Sequence, residues 1–240
     1  MTIQELNDER RALLKANVQD IEKRIANAKK NREGNEVTLL AATKTVPASV
    51  VNYVTHELGI KHIGENRVQE LLDKYDDLDL EGVELHFIGK LQTNKVKYII
   101  DKVDMIHSLD SIKLAKEIDT RAAKIGKVMD VLVEINSGRE ENKSGVFPED
   151  VVSFLEQLKD FKNIKVRGLM TIAPVCAEKE DYRKYFRETY SIFLDNLTNK
   201  LHNINMDFLS MGMTDSFEVA IEEGSSIVRI GSAIFGSRYT

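Results

Sequence analysis

The sequence contains no tryptophan, only one cysteine and no long apolar run, and its charges nearly balance. The lone Cys176 excludes an internal disulfide framework and any metal cluster built from several cysteines. No stretch approaches the roughly 20 apolar residues of a membrane span, and the charged N-terminus has no signal-peptide run. The formal net charge of -5, with acidic and basic residues interleaved, argues against nucleic acid as the main partner. We therefore expect a cytoplasmic protein without a membrane or nucleic-acid partner.

The histidines also lack a metal-binding pattern. Of the five histidines, none forms an HxH or HExxH motif, and His86 and His107 fall inside predicted strands. Histidines in that position are more often satisfied core residues than ligands. We expect no metal site from this spacing.

The chain is long enough to bury one sizeable core, with 240 residues and 42% hydrophobic content. No linker, repeat or low-complexity segment divides it, so we predict a single domain over residues 1–240. Apolar residues recur at helical spacing from Leu6 to Ala28, which predicts one amphipathic helix within Thr2–Lys30. This helix is expected to cover the bottom of the domain or to form a partner surface.

Eight short apolar runs then alternate with amphipathic segments. The runs are VTLLAATK, KHIGE, ELHFIGK, DMIHSLD, VMDVLVEIN, IKVRGLMTI, MDFLSM and SSIVRIGSAIFG. Such alternation predicts parallel strands joined by helices, and eight units in roughly 210 residues match an α/β fold of the (β/α)₈ TIM-barrel type. A doubly wound open sheet is the alternative, but no GxGxxG follows the first strand.

Active sites of such barrels lie at the C-terminal ends of the strands. The polar residues, glycines and neighbouring residues at these predicted ends are Lys44, Glu65, Asn66, Gly89, Ser108, Asn136, Thr171, Met211, Gly212, Met213, Thr214, Arg229, Gly231 and Ser232. Lys44 would stand above Ala42 and Leu40 at the barrel mouth, where partial desolvation lets a neutral amine form a Schiff base with an aldehyde. The alternative is a lysine that simply reaches solvent at a strand end.

The last strand favours the interpretation of Lys44 as a Schiff-base lysine. Side-chain alternation in SIVRIGS places Ile227, Arg229 and Gly231 on one face, so Arg229 should point into the barrel and require a polar partner. Gly231 and Ser232 follow where barrels often bind phosphate, and Gly212 and Thr214 precede a predicted helix. A lysine, an inward arginine and a phosphate cradle together indicate a pyridoxal phosphate site.

Seven motifs occur in order from about residue 37 to the end, and they resemble the pyridoxal phosphate homeostasis protein family. They are ATKT, IGENRVQE, HFIGKLQTNK, NKSG, RGLMTI, SMGMTDSFEVAI and VRIGSAIFG. Where many relatives have a tryptophan before HFIG, this chain has Leu85. It also has Thr214 and Ser232 where relatives often have serine and threonine, so both hydroxyls are kept.

The resemblance implies an alanine-racemase-like fold type III barrel with an extra N-terminal helix and no second β-domain. It implies that Lys44 is the aldimine lysine, that Arg229 faces the pyridine nitrogen and that Asn66 lies near the cofactor. Thr214, Gly231 and Ser232 would hold the phosphate, next to Met211 and Gly212. A monomer is expected.

The function implied is that of a carrier rather than an enzyme. Such a protein holds pyridoxal 5'-phosphate through a reversible Schiff base and maintains vitamin B6 homeostasis, with other B6 vitamers and cofactor-requiring apo-enzymes as further partners. An amino-acid racemase is the first alternative, but it needs a second base, and only Tyr239 lies near the end of the barrel. A Schiff-base aldolase acting on a phosphosugar is the second alternative, and it leaves the inward Arg229 unexplained. Loop lysines such as Lys143 could compete for the aldehyde.

Overall fold

Eight parallel strands close into a barrel in the computed structural model, which describes residues 6–30, 36–198 and 202–236. The strands follow one another in chain order, and the last pairs with the first. Their bounds are β1 Thr38–Ala42, β2 His62–Glu65, β3 Glu84–Phe87, β4 Met105–Leu109, β5 Met129–Ile135, β6 Ile164–Thr171, β7 Ile204–Ser210 and β8 Ile227–Ile230. Seven of the eight predicted runs contain a whole strand, and the run MDFLSM covers all of β7 except its first two residues. The closed barrel is therefore confirmed and the open sheet excluded.

Helices surround the barrel. Their bounds are α1 Asp8–Lys29, α2 Ala48–Asn52, α3 Val68–Lys74, α4 Ile112–Lys124, α5 Val151–Leu158, α6 Arg183–Asp195, α7 Phe217–Glu222 and α8 Ser232–Phe235. A π-helical stretch, Tyr53–Glu57, extends α2, and β3 is followed by a 3₁₀ helix, Thr93–Tyr98. No helix in the described ranges is long and apolar enough to cross a membrane.

The strands separate two apolar layers. Inside the barrel, Ile227 packs with Leu40 and Ile88, whereas Val228 and Ile230 belong to the larger layer between the strands and the helices. This is the alternation predicted for SIVRIGS. The apolar run that follows does not continue as a strand, because Ser232–Phe235 form α8 after only four strand residues.

The N-terminal helix packs on the side of the barrel, against α7 and α8, rather than under its bottom. Its buried stripe is Leu14, Val18, Ile21, Ile25 and Ala28, as the spacing predicted, but Leu13, which was predicted to belong to the same stripe, is exposed. Arg24 donates to the carboxylate of Glu218 at 2.8 Å, and Asn17 donates to the carbonyl of Ile234 at 2.9 Å. The part of the predicted helix before residue 6 lies outside the described residues.

Apolar residues at helical spacing between Tyr182 and Leu201 predict a buried stripe on the segment that contains α6, and this stripe is only partly buried. Phe186 is buried, but Leu194 and Leu197 are about half exposed, at 43% and 50%. The helix ends at Asp195, so Leu197 leaves the helical face on which it was placed. Leu201, also assigned to this stripe, lies outside the described residues.

Candidate functional site

Lys44 occupies a tight turn directly after β1. The turn spans Thr43–Val46 and is closed by the Val46 N–H, which donates to the Thr43 carbonyl at 3.0 Å. Its third residue, Thr45, has a φ of 62°, a conformation that a β-branched residue rarely adopts. The Thr45 N–H donates to the carboxylate of Glu70, which holds the turn in place. Lys44 itself is half-buried, and its amine makes no hydrogen bond to any described residue.

A buried ion pair supports this turn from below. Glu65 is fully buried at the end of β2, where it accepts a hydrogen bond from Thr43 and forms a short ion pair with Lys74. Lys74 also donates to the carbonyls of Thr43, at 2.8 Å, and Val46, at 3.1 Å. Burial raises the pKa of the Glu65 carboxyl, and the Lys74 charge opposes that shift. The network ties β2 and α3 to the turn that carries Lys44.

Arg229 points into the barrel and is buried, as predicted. One of its terminal nitrogens donates to Ser210 Oγ at 2.6 Å, and the other donates to the Thr171 carbonyl at 2.9 Å. Burial lowers the pKa of the guanidinium to about 10, and the nearby carboxyl of Glu134 opposes that shift. Arg229 therefore remains positively charged near neutral pH. Its two hydrogen bonds leave N–H donors available, since a guanidinium has five.

Two further titratable groups face the interior near Arg229. His107 is fully buried, and burial lowers the pKa of its imidazole well below the usual value, so the ring is neutral. Burial, reinforced by the charge of Asp110, raises the pKa of Glu134 to about 7, while Arg229 and Lys90 act in the opposite direction. Glu134 can thus exchange a proton near neutral pH.

The predicted phosphate residues come together where β7 and β8 end. Ser232 Oγ donates to Thr214 Oγ1 at 3.0 Å, and the Ala233 N–H reaches the same oxygen at 3.4 Å. A side chain at Gly231 would place its Cβ 3.1 Å from the carbonyl oxygen of Ala42, two residues before Lys44. The two hydroxyls and the glycine backbone therefore lie at the same end of the barrel as the lysine.

The stretch after β7 requires glycine at one position. Gly212 has a φ of 93°, and a Cβ there would lie 2.6 Å from the Ala220 Cβ and 2.9 Å from the Phe217 Cα. It therefore lets the chain pass against α7 before Thr214. Met211 differs from the other predicted site residues, because its side chain is fully buried in the outer apolar layer. Its backbone is also bonded within the protein, because its N–H donates to the Ile227 carbonyl at 3.1 Å and its carbonyl accepts from Ser225 Oγ at 2.7 Å.

Asn66 follows β2 at the same end as Lys44, because Gly64 pairs with Ala42 in the neighbouring strand. It is half-buried, and its backbone touches Gly89, where a Cβ would meet the Asn66 carbonyl oxygen at 2.0 Å. The loop lysine Lys143 is instead exposed and paired with Glu140 at 2.6 Å.

The structure thus places Lys44, Asn66, Gly212, Thr214, Arg229, Gly231 and Ser232 at one end of the barrel or in its adjoining interior. Sequence reasoning missed Lys74, Ser210 and Glu134, which organise or surround the site. Their only signal was position: Ser210 and Glu134 lie near predicted strand ends, and Lys74 follows Glu70 by one helical turn. An amine, a buried guanidinium and paired hydroxyls suit an anionic ligand with a carbonyl group, which is the chemistry of pyridoxal phosphate.

Fold and site together define a barrel of the alanine racemase type. Residues 14–239 match the family described as the N-terminal domain of alanine racemase. The alanine racemase of Clostridium difficile 630 shares this fold with a TM-score of 0.68 and 18% identity, over 92% of this chain and 57% of that one. At that identity the likeness shows the fold alone.

Closer relatives specify the family. A pyridoxal phosphate homeostasis protein of Aquifex aeolicus is 50% identical over 86% of this chain and 90% of its own. The protein of that description in Escherichia coli K12 is 36% identical over 86% and 88%. The chain belongs to the pyridoxal phosphate homeostasis protein family.

Solved structures agree with this assignment. PipY of Synechococcus elongatus, solved with pyridoxal phosphate bound, is 31% identical with a TM-score of 0.77, over 90% of this chain and all of that one. A protein of unknown function from Bifidobacterium adolescentis is 34% identical with a TM-score of 0.90, over 96% and 97% of the two chains.

Proposed function

We propose that this protein binds pyridoxal 5'-phosphate through Lys44 and carries and buffers it, so that the cell keeps a safe supply of the cofactor. The bound structure of PipY and the names of the curated relatives support the choice of ligand. The single observation that carries the proposal is the buried, hydrogen-bonded Arg229 in the barrel that bears Lys44.

In this proposal each site residue has a defined task. The Lys44 amine would hold the aldehyde group as a Schiff base, with water released, and the turn at Thr43–Val46 holds that amine at the barrel mouth. Thr214, Ser232 and the backbone at Gly231 would bind the phosphate, while Arg229 would donate to the ring nitrogen and Asn66 would support the ring. Met211 fixes the start of the phosphate loop through its backbone hydrogen bonds to Ile227 and Ser225, and Gly212 shapes that loop. When bound, the cofactor would supply a reactive aldehyde and a ring that can accept electrons.

Arg229 favours a carrier over an enzyme. Its permanent charge disfavours a second positive charge on a ring nitrogen beside it, which weakens the ring as an electron acceptor. A racemase would also need a second base opposite Lys44. Among the residues that the structure describes, every tyrosine lies on a helix outside the barrel: Tyr53, Tyr75, Tyr98, Tyr182, Tyr185 and Tyr190. Tyr239 lies outside the described residues.

The proposal extends to partners and location. Other B6 vitamers that keep the phosphate and ring could use the same contacts, and cofactor-requiring apo-enzymes would be the recipients. A covalent bond that another amine can displace suits such delivery. We place this role in the cytoplasm, as the sequence led us to expect.

The test separates a carrier from a racemase. Protein loaded with pyridoxal phosphate is incubated with L-alanine, and both released cofactor and D-alanine are measured after ultrafiltration. We expect the amine to accelerate release in the intact protein, and we expect D-alanine no faster than with Lys44→Ala. Sustained D-alanine formation over many turnovers would establish a racemase. Failure to load any cofactor would favour the phosphosugar aldolase.

A further inference from the structure

The end of the barrel opposite Lys44 contains a second cluster of chemically able side chains. His62 begins β2, Glu84 begins β3, and His86 lies two residues further along β3. The three groups line a pocket of about 400 Å³ whose wall also includes Asp104, Asp130 and Arg167. This end of a barrel ordinarily serves stability rather than chemistry. The site at the barrel mouth gives no reason for two histidines and a glutamate to meet at this end.

The spacing of these groups fits a metal ion. Ligands held about 2.0–2.1 Å from a tetrahedral Zn²⁺ lie about 3.3–3.4 Å from one another. Glu84 Oε2 lies 3.4 Å from His62 Nδ1 and 3.3 Å from His86 Nε2, so two edges of such a tetrahedron already exist. All three atoms lie within 4.8 Å of one another. His62 Nδ1 is buried, and its contact with the Glu84 carboxylate at 3.4 Å is too poorly aligned for a regular hydrogen bond, so a metal ion could replace it.

The second nitrogen of His86 is held as it is in many metal sites. His86 Nδ1 lies 2.8 Å from His107 Nε2, and both rings are buried. Metal-bound histidines usually use the other ring nitrogen for such a bond, which fixes the tautomer and the ring plane. The described residues thus supply both a ligand set and its support.

The contact to His107 continues to the cofactor site. His107 Nδ1 lies 3.1 Å from Ser210 Oγ, which accepts the 2.6 Å hydrogen bond from Arg229. One chain of contacts therefore crosses the barrel interior from the pocket to Arg229. Histidine spacing along the sequence could not reveal this arrangement, because the strands alone bring the groups together.

We propose that His62, Glu84 and His86 bind a divalent transition-metal ion of the Zn²⁺ type, with water completing the coordination, and that this ion alters the hydrogen bonds of Arg229. The second part rests on the proposed function of Arg229 in cofactor binding. A metal ion requires the lone pair of His86 Nε2. Without metal, a hydrogen bond over the 3.3 Å between this nitrogen and the Glu84 carboxylate requires the ring proton on Nε2, because an ionised carboxylate only accepts.

Metal binding therefore reverses the chain of hydrogen bonds. Without metal, the Ser210 hydroxyl donates to His107, and His107 donates to His86. With metal, His86 carries its proton on Nδ1 and donates to His107, which then donates to Ser210. The proton count is unchanged, because His86 and His107 each carry one ring proton and Ser210 carries one hydroxyl proton in both states; only the positions of these protons differ. Ser210 Oγ then accepts from both His107 and Arg229, which weakens the hydrogen bond that Arg229 donates to it.

The first experiment measures metal binding without cofactor. Chelator-treated, cofactor-free full-length protein is titrated with Zn²⁺ in a calorimeter and with Co²⁺ in a spectrophotometer. We expect one equivalent of either ion, with affinity reduced more than about tenfold in His62→Ala and in Glu84→Gln. Both side chains are partly exposed, so the variants should fold. His56→Ala is the matched control, because His56 also lies 3.2 Å from a carboxylate, that of Asp79, but outside the cluster.

The second experiment measures coupling. The dissociation constant of pyridoxal phosphate is compared with and without one equivalent of Zn²⁺, and we expect at least a threefold change in the intact protein and none in His62→Ala. Equal Zn²⁺ affinity in the intact protein and in His62→Ala would overturn the metal site. Zn²⁺ binding without any change in cofactor affinity would overturn the coupling. A protein that binds Zn²⁺ but never pyridoxal phosphate would instead refute the proposed function of the mouth.

Discussion

Arg229 brings a full positive charge into the interior of the barrel, and its surroundings show how that charge is tolerated. Two uncharged oxygens, Ser210 Oγ and the Thr171 carbonyl, accept its hydrogen bonds, and Glu134 is the charged group that stabilises it. A buried guanidinium without such partners would be very costly. Arg229 is therefore held in place by the fold and still has N–H donors for a ligand.

Glu134 gives a pH-dependent stability that can be measured directly. Its pKa is about 7 in the folded protein against 4.5 for an ordinary glutamate. Between these values the unfolded chain releases a proton that the folded chain keeps, so rising pH favours unfolding. From pH 5 to pH 8 this effect should lower the free energy of unfolding by about 2 kcal/mol.

The measurement is urea unfolding of cofactor-free protein at both pH values, with Glu134→Gln as the comparison. Between these pH values the free energy of unfolding of the glutamine variant should fall by about 2 kcal/mol less than that of the parent protein. Equal losses in the two proteins would show that Glu134 ionises normally.

At the scale of elements, the turn after β1 depends on α3 through the Glu65–Lys74 ion pair. Replacing Lys74 by methionine leaves a fully buried carboxylate without its partner, so Lys74→Met should lower the unfolding free energy by about 3–5 kcal/mol. The double variant with Glu65→Gln should recover part of that loss. Thermal and denaturant unfolding provide the measurement.

Lys102→Met is the control for this experiment. Lys102 pairs with Asp101 at 2.8 Å on the surface, so its loss should cost less than about 1 kcal/mol. Similar losses in the two single variants would contradict the role assigned to the buried pair.

The loop between β7 and α7 offers a second element-scale prediction. Gly212→Ala meets both an unfavourable positive φ and a close contact with Ala220, whereas Gly126→Ala meets only a positive φ, with open space around it. The first should cost about 1–3 kcal/mol more than the second. It should also weaken pyridoxal phosphate binding, and Gly126→Ala should not. Denaturant unfolding and cofactor titration of both variants test this prediction. Equal effects in the two variants would contradict the steric role assigned to Gly212.

The sequence was informative where a short period repeats. Alternation in β8 correctly placed Arg229 inside and Val228 outside, and helical spacing identified the buried stripe of α1. Sequence patterns did not reveal residues whose positions depend on tertiary contacts. Lys74 follows Glu70 by four residues, a spacing that indicates at most an ion pair along one helix, and nothing in its sequence neighbours indicates a buried partner on β2. The cluster of His62, Glu84 and His86 could not be predicted either, because only the pairing of β2 with β3 brings these side chains together.

At the scale of the whole molecule, we predict a monomer. The large apolar side chains that remain exposed are spread over different elements, for example Leu13, Tyr98 and Val175. Stable dimers usually bury one continuous apolar patch. Sedimentation at micromolar concentration should give the mass of one chain with or without pyridoxal phosphate. A species of twice that mass would contradict this prediction.

The most direct test of the central claim is to locate the bound cofactor. Protein loaded with pyridoxal phosphate is reduced with borohydride, digested and analysed by mass spectrometry, with Lys44→Ala and Lys143→Ala treated in parallel. We predict the pyridoxyl mass on Lys44, loss of the cofactor's absorbance band in Lys44→Ala, and an unchanged band in Lys143→Ala. A label found only on surface lysines, or a band that survives in Lys44→Ala, would contradict the assignment of Lys44 as the residue that holds the cofactor.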